Sequence, residues 1–184
     1  MTPAELAASL NLRRPDRFAD LRSPAEPSAD GRLLAALVHA TRATYVLELG
    51  AGGGYGSLSI AAAFGLTGRL DAVEQSLDGV ARIEAAARDH GLSDRLKVIA
   101  AAPAAVLPGL NGPYDLVVVE PCTGGLLPVY ADLIRVLRTG GSLILPVIAD
   151  LDAARPLLER LAGDERVAAY FPETLAPVLV TRLR

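Results

Sequence analysis

The chain has 184 residues, of which 51% are hydrophobic and 21% charged. That supports one core and excludes intrinsic disorder, in which apolar burial cannot offset ordering entropy. A net charge of −3 argues against holding nucleic acid by phosphate neutralisation, which calls for a basic excess. The single cysteine, Cys122, excludes an intrachain disulfide and a multi-cysteine zinc site.

The first residues, Thr2-Pro3-Ala4-Glu5, read as a capping box that predicts a short helix to about Leu10. They lack the pattern of a signal peptide, and no run of about 18 apolar residues free of charge follows. We therefore expect a cytoplasmic protein that does not act at a membrane. Arg13–Asp30 holds Pro15, Pro24 and Pro27 with Arg13, Arg14, Arg17 and Arg22, a composition of loops. This divides the chain into an N-terminal arm, 1–30, and one domain, 31–184.

From residue 31 strand and helix alternate. Leu33, Leu34, Leu37, Val38 and Thr41 recur at helical spacing. Thr44–Leu49 predicts a strand, Tyr55–Phe64 a helix and Leu70–Glu74 a second strand. Leu77–His90 follows as a helix, with Ser76 as N-cap and Gly91 just past its end. Leu96–Ala100 and Asp115–Val119 are strands, separated by a short element at Ala104–Leu107. Leu127–Leu137 predicts a helix, Ser142–Leu145 a strand and Asp152–Leu161 a helix. Val167–Phe171 and Val178–Leu183 close the chain as two strands, too near in sequence for a helical crossover and so antiparallel. Strands that are apolar on both faces indicate helices above and below. The expected fold is α/β: a doubly wound, mostly parallel seven-stranded sheet with an antiparallel last strand.

In such sheets ligands bind beyond the carboxyl ends of the strands. The first such end reads Glu48-Leu49-Gly50-Ala51-Gly52-Gly53-Gly54-Tyr55-Gly56, with five glycines in seven residues from Gly50. These let backbone approach a ligand and offer amides at a helix N-terminus. Glu74, at the end of the next strand, is placed to accept both hydroxyls of an adenosine ribose. A dinucleotide fingerprint would need glycine where Tyr55 stands, and Glu48 would repel a pyrophosphate. A cofactor with a sulfonium and an ammonium, S-adenosylmethionine, turns Glu48 into an asset.

Val46–Ala51 with Gly54-Tyr55 resembles motif I of the catechol and caffeoyl-CoA type O-methyltransferases. The resemblance includes Asp30–Leu34, Asp71–Glu74, Gly91–Leu96, Tyr114–Val119 and Leu137–Gly141, and covers about 28–184. It implies the class I methyltransferase fold, with the methionine part of the cofactor on the loop of Gly50, Ala51, Gly52 and Tyr55, beside Glu48, and the ribose on Glu74. Gln75, Ala101, Ala102 and Pro103 would flank the adenine. It also implies a small-molecule methyl acceptor and a homodimer, with S-adenosylhomocysteine as product.

The sequence departs from this family at the divalent metal. The aspartate-containing motif after the fourth strand is replaced by Glu120-Pro121-Cys122-Thr123, and an Asp-Asn pair by Pro146-Val147. Magnesium or calcium needs about six oxygens, so we expect no metal; Asp150 nearby reads equally as part of the next helix's N-cap. Glu120 is then expected to face the cofactor's positive end or a substrate hydroxyl as an acceptor, unless it caps the Pro121–Gly125 turn. His39 reads as structural, His90 as a helix cap and Cys122 as a small buried hydrophobe; Tyr130 and Glu173 are further candidate bases. The expected function is metal-independent O-methylation. The alternatives are a catalytically silent cofactor-binding relative and a nicotinamide-dependent oxidoreductase, separable by turnover and by relative cofactor affinity.

Overall fold

The computed structural model describes residues 17–21, 31–120, 126–145, 151–170 and 178–184. Helix α1, Gly31–Thr41, leads into β1, Tyr45–Leu49. Helix α2, Tyr55–Ala63, and β2, Arg69–Glu74, follow. Next come α3, Leu77–Asp89, β3, Leu96–Ala100, the short α4, Pro103–Val106, and β4, Tyr114–Val119. The chain continues through α5, Tyr130–Arg135, β5, Leu137–Leu145, and α6, Leu151–Ala162. It closes with β6, Val167–Tyr170, and β7, Val178–Arg182.

The strands form one sheet in the order β3-β2-β1-β4-β5-β7-β6. The first five pair in parallel, and β7 lies antiparallel between β5 and β6. Alternate residues of each strand supply two cores. Val46, Leu70, Ala72, Leu116 and Val118 pack beneath α1, α2 and α3. Leu47, Leu49, Val73, Val117 and Val119 pack against Leu133 and Ile134 of α5 and Leu161 of α6. Because β1 is flanked by β2 on one side and β4 on the other, the strand order reverses there. Connections leaving β1 and β4 diverge to opposite faces and open a crevice at the carboxyl edge.

The local signals act as expected at several boundaries. Ser76 caps α3, its hydroxyl accepting from Gly79 N at 3.3 Å, and Gly91 beyond the helix adopts φ 67°. On α1 the inward face is Leu34 and Val38, whereas Leu33 is exposed. Helix α2 has eight buried residues among its nine, so it runs between α1, α3 and the sheet with no solvent face.

Two segments differ from their sequence reading. The expected helix Leu127–Leu137 is a 3-10 turn, Leu127–Val129, followed by the shorter α5. Pro128 lies in that turn and cannot donate to a helical ladder. The next strand begins at Leu137 rather than Ser142, since Leu137 pairs with Tyr114 and Ser142 with Leu116. The intervening residues bulge, with Gly140 at φ 75° and Arg138 Nε held 2.6 Å from Asp115 Oδ1. The predicted helix up to Leu10 and most of the arm lie outside the described residues.

Two polar clusters brace the amino ends of the strands. Asp115 Oδ2 accepts from the amides of Thr44 and Tyr45 at 2.8 and 2.9 Å, joining β4 to the start of β1. Asp71 Oδ2 accepts from Tyr45 and Tyr114 hydroxyls at 2.7 and 2.8 Å.

Candidate functional site

The carboxyl edge brings together the ends of β1, β2, β3 and β4. The loop after β1 is anchored where Gly50 N and Ala51 N both donate to Val73 O, at 2.9 and 3.0 Å. Gly50, Gly52 and Gly54 adopt φ 88°, 55° and 91°, a region that a side chain rarely tolerates. Three left-handed residues within five turn the chain sharply and aim the start of α2 back at the crevice. Gly54 is the N-cap and gives α2 no side-chain cap, so the N-terminus of that helix begins directly at the loop. Such an end attracts negative groups, a cofactor carboxylate included.

Glu74 closes the other side of this loop. Its Oε2 accepts from Gly52 N and its Oε1 from Ser76 N, both at 2.7 Å. Ala101 N donates to Glu74 O at 3.1 Å, which brings the end of β3 alongside. Gly79 has no Cβ where one would lie 2.8 Å from Glu74 Cγ and 3.0 Å from Gly52 O. Each carboxylate oxygen retains a second lone pair, so Glu74 can tether the loop and still accept from a ligand. Gln75 and Ala102 are exposed beside it, with Ala101 and Pro103 half-buried. Ala102 is the N-cap of α4 and Pro103 its first residue.

Glu48 is the most unusual group in the site. It lies near the end of β1, between Ala72 of β2 and Val118 of β4, and is fully buried. Ser57 of α2 donates to Oε2. Oε1 sits beside Gly56 and, among the described residues, is the buried side-chain oxygen without a hydrogen-bond partner. Burial, and then the charges of Glu120 and Glu74, push its carboxyl up to about 8; the Ser57 hydrogen bond opposes them. A buried carboxyl with one idle oxygen is costly unless something positive or donating completes it.

Glu120 follows β4, and its amide donates to Leu49 O at 3.0 Å, which continues the β1–β4 ladder to the mouth of the loop. Its side chain is 7% exposed. Two buried acidic side chains, Glu74 and Glu120, thus lie with the Glu48 carboxyl at the ends of β2, β4 and β1. Their combined field favours a ligand with positive charge.

The other candidates have different positions. Tyr130 donates to Asp164 Oδ2 at 3.0 Å, and Arg166 holds the same carboxylate at 2.6 Å. That arrangement joins α5 to the turn before β6; burial and Asp164 push the phenol up to about 12, which removes it as a base near neutrality. His39 is exposed on α1. His90 ends α3, donating its amide to Ala86 O at 3.1 Å, with its ring edge-on to Phe18 at 5.0 Å. Cys122, Thr123, Pro146, Val147, Asp150 and Glu173 lie outside the described residues, so of the positions discussed for a metal only Glu120 is described. Sequence reasoning missed Ser57; the signal available was a pair of serines, Ser57 and Ser59, on a largely apolar helix, without a hint of which one faces a partner across the site.

A family model described as a methyltransferase domain matches residues 46–141. No curated protein sequence matches the chain. Several solved structures share its fold. The O-methyltransferase TomG from Streptomyces achromogenes, involved in tomaymycin synthesis and solved with S-adenosylmethionine, is 19% identical over 100% of both chains, with a TM-score of 0.82. An O-methyltransferase from Bacillus cereus, solved with S-adenosylhomocysteine, is 19% identical over 100% of this chain and 92% of its own, at 0.77. The S-adenosylhomocysteine-bound methyltransferase PaMTH1 from Podospora anserina is 19% identical over 100% and 97%, at 0.78.

Proposed function

From the premise that the chain belongs to the methyltransferase-domain family, we propose that it moves the methyl group of S-adenosylmethionine to an oxygen of a small molecule, without a divalent metal. The observation that carries the cofactor is Glu48, a buried carboxyl with an idle oxygen beside a glycine loop. Its chemistry calls for a cation. TomG, of the same fold, is an O-methyltransferase solved with this cofactor.

S-adenosylmethionine supplies an electrophilic methyl on a sulfonium. The chain's own residues bind and orient it. Glu48 takes the ammonium through Oε1, and the amides of Gly50, Ala51 and Gly52 and the first turn of α2 at Tyr55 surround the methionine end. Glu74 accepts from the ribose hydroxyls with the lone pairs left by Gly52 and Ser76. Gln75, Ala101, Ala102 and Pro103 border the adenine. Glu120 would accept a hydrogen bond from the substrate hydroxyl, align its oxygen with the methyl group and take the hydroxyl proton as the oxygen–methyl bond forms and the sulfur–methyl bond breaks, leaving S-adenosylhomocysteine. An in-line transfer to such an oxygen depends chiefly on proximity and alignment.

Among the described residues no group of three or more His, Cys, Asp or Glu is arranged to hold a metal. At the remaining positions Pro146 and Val147 offer no ligating side chain. That loss of an expected oxygen pair is what supports a transfer without a divalent ion. The domain carrying this activity is 31–184, with 1–30 as an arm; the resemblance to the catechol and caffeoyl-CoA type enzymes supports a homodimer, and the lack of a signal-peptide pattern supports a cytoplasmic site of action. No described helix is long and apolar enough to cross a membrane.

Calorimetric titration with S-adenosylmethionine, S-adenosylhomocysteine and a nicotinamide dinucleotide tests the cofactor, and methyl transfer to a panel of small phenols and alcohols tests the acceptor. Binding of the first two and not the third is expected. Preference for the dinucleotide would overturn the reading.

A further inference from the structure

Helix α2 buries two serines in different ways. Ser59 donates to Tyr55 O at 2.8 Å, the ordinary back-bond of a helical serine to its own preceding turn. Ser57 instead reaches across to Glu48 Oε2. Both side chains are buried, so each hydroxyl needs a partner, and Ser57 takes a carboxyl oxygen at the site. Its neighbour Gly56 leaves the space that the other oxygen, Oε1, occupies. Consecutive residues of one helix turn thus perform complementary tasks: Ser57 holds one oxygen of Glu48, and Gly56, lacking a Cβ, leaves room for the other.

The surroundings of Glu48 contain nothing positive that a described interaction supplies. Helix α1 presents Leu34, and β2 and β4 flank it with Ala72 and Val118. The ionisable groups that act on it are Glu120 from the end of β4 and Glu74 from the end of β2, both of which disfavour its charge. Ser57 is the one influence that favours it.

Resting on the proposed cofactor, we propose that Ser57 is a positioning residue that acts through Glu48, and that cofactor binding is coupled to loss of one proton from Glu48. Before binding, the carboxyl is neutral at pH 7 and retains its proton. When the ammonium arrives at Oε1, that proton leaves to solvent and a carboxylate-ammonium pair remains. The hydroxyl of Ser57 fixes the carboxyl's orientation and lowers the pH at which the exchange becomes easy. The cofactor's own amine, ordinarily near 7.7–8.0, sets the opposite limit. Affinity therefore rises with pH to about 8 and declines above it.

The test is calorimetric titration of the whole chain with S-adenosylmethionine between pH 6 and 9, in buffer pairs that differ in ionisation enthalpy. Near pH 6.5 the wild-type chain should release close to one proton per cofactor, and Glu48→Gln none. Ser57→Ala should move the rising limb to higher pH and weaken binding at pH 7 by about tenfold, with the deficit shrinking as pH rises. Ser57→Thr, which keeps the hydroxyl, should restore the limb. A loss in Ser57→Ala that is equal at every pH, with the limb unmoved, would mean a merely structural role and overturn the proposal.

The same titration is read without cofactor, from the pH dependence of thermal unfolding, where Ser57→Ala should shift the Glu48 transition upward. That measurement separates the two readings. Cofactor binding without proton release overturns the coupling and leaves the proposed function intact. A Ser57-dependent transition with no cofactor binding refutes the function while retaining the Ser57–Glu48 link.

Discussion

Replacing Glu48 by Gln should make the protein's stability less dependent on pH while weakening its hold on the cofactor. In the folded chain the carboxyl is pushed from 4.5 up to about 8. Between those values the folded state keeps a proton that the unfolded state has lost. Stability therefore falls as pH rises, at about 1.4 kcal/mol per pH unit, and levels off above the folded value. From pH 6 to 8 that amounts to roughly 2–3 kcal/mol, and over the full interval to about 5 kcal/mol. For a chain of this length the first figure corresponds to about 5–10 °C in Tm. Asp115 and Asp164 are shifted down by their hydrogen bonds, so their contributions are complete above the ordinary aspartate range and are lost only in acid. Tyr114 and Tyr130 are shifted up and act only in alkali.

The assay is differential scanning fluorimetry with urea unfolding at pH 6, 7 and 8. The Glu48→Gln substitution leaves an amide facing the place of the idle oxygen, an offset of about 1–3 kcal/mol that does not vary with pH. The slope is thus the quantity to compare. Wild type should lose stability across this range and Glu48→Gln should not. Titration should show the variant binding S-adenosylmethionine about ten- to hundredfold more weakly. Parallel pH curves for the two proteins would refute the argument that Glu48 is held neutral by burial.

Glu74→Ala should lower cofactor affinity by more than the ten- to hundredfold of one charge-assisted contact, because it also releases Gly52 and Ser76; Glu74→Gln, which keeps one acceptor, should fall between, as read by calorimetry. Chelator should leave cofactor binding and methyl transfer unchanged, and magnesium should not raise the rate; activity abolished by chelator and restored by magnesium would contradict the metal-free reading. Asp71→Ala, which strands the Tyr45 and Tyr114 hydroxyls, should cost about 2–4 kcal/mol in urea unfolding and leave cofactor affinity within about twofold.

The alternation of strand and helix was legible because its determinants are local. Leu116–Val119 is apolar on both faces and mostly β-branched, Ser76 and Gly91 punctuate α3, and Gly50, Gly52 and Gly54 can take dihedrals closed to most other residues. The order of glycine loop, strand and acid is likewise written along the chain, so the carboxyl edge and Glu74 were identifiable from it. The start of β5 was not, since Leu137 is held by pairing with Tyr114 across a bulge, a contact no window around Leu137 contains. Nor could the sequence reveal that Glu74 spends a lone pair of one oxygen on Gly52 of the loop and of the other on Ser76, or that Ser57 faces Glu48 rather than its own helix backbone. The state of Glu48 depended most on tertiary structure. Its neutrality requires α1 and α2 to exclude water and Glu120 and Glu74 to converge from separate strands. Sequence determines which groups are present; desolvation and Coulomb interaction depend on what surrounds them, and only the folded arrangement decides that.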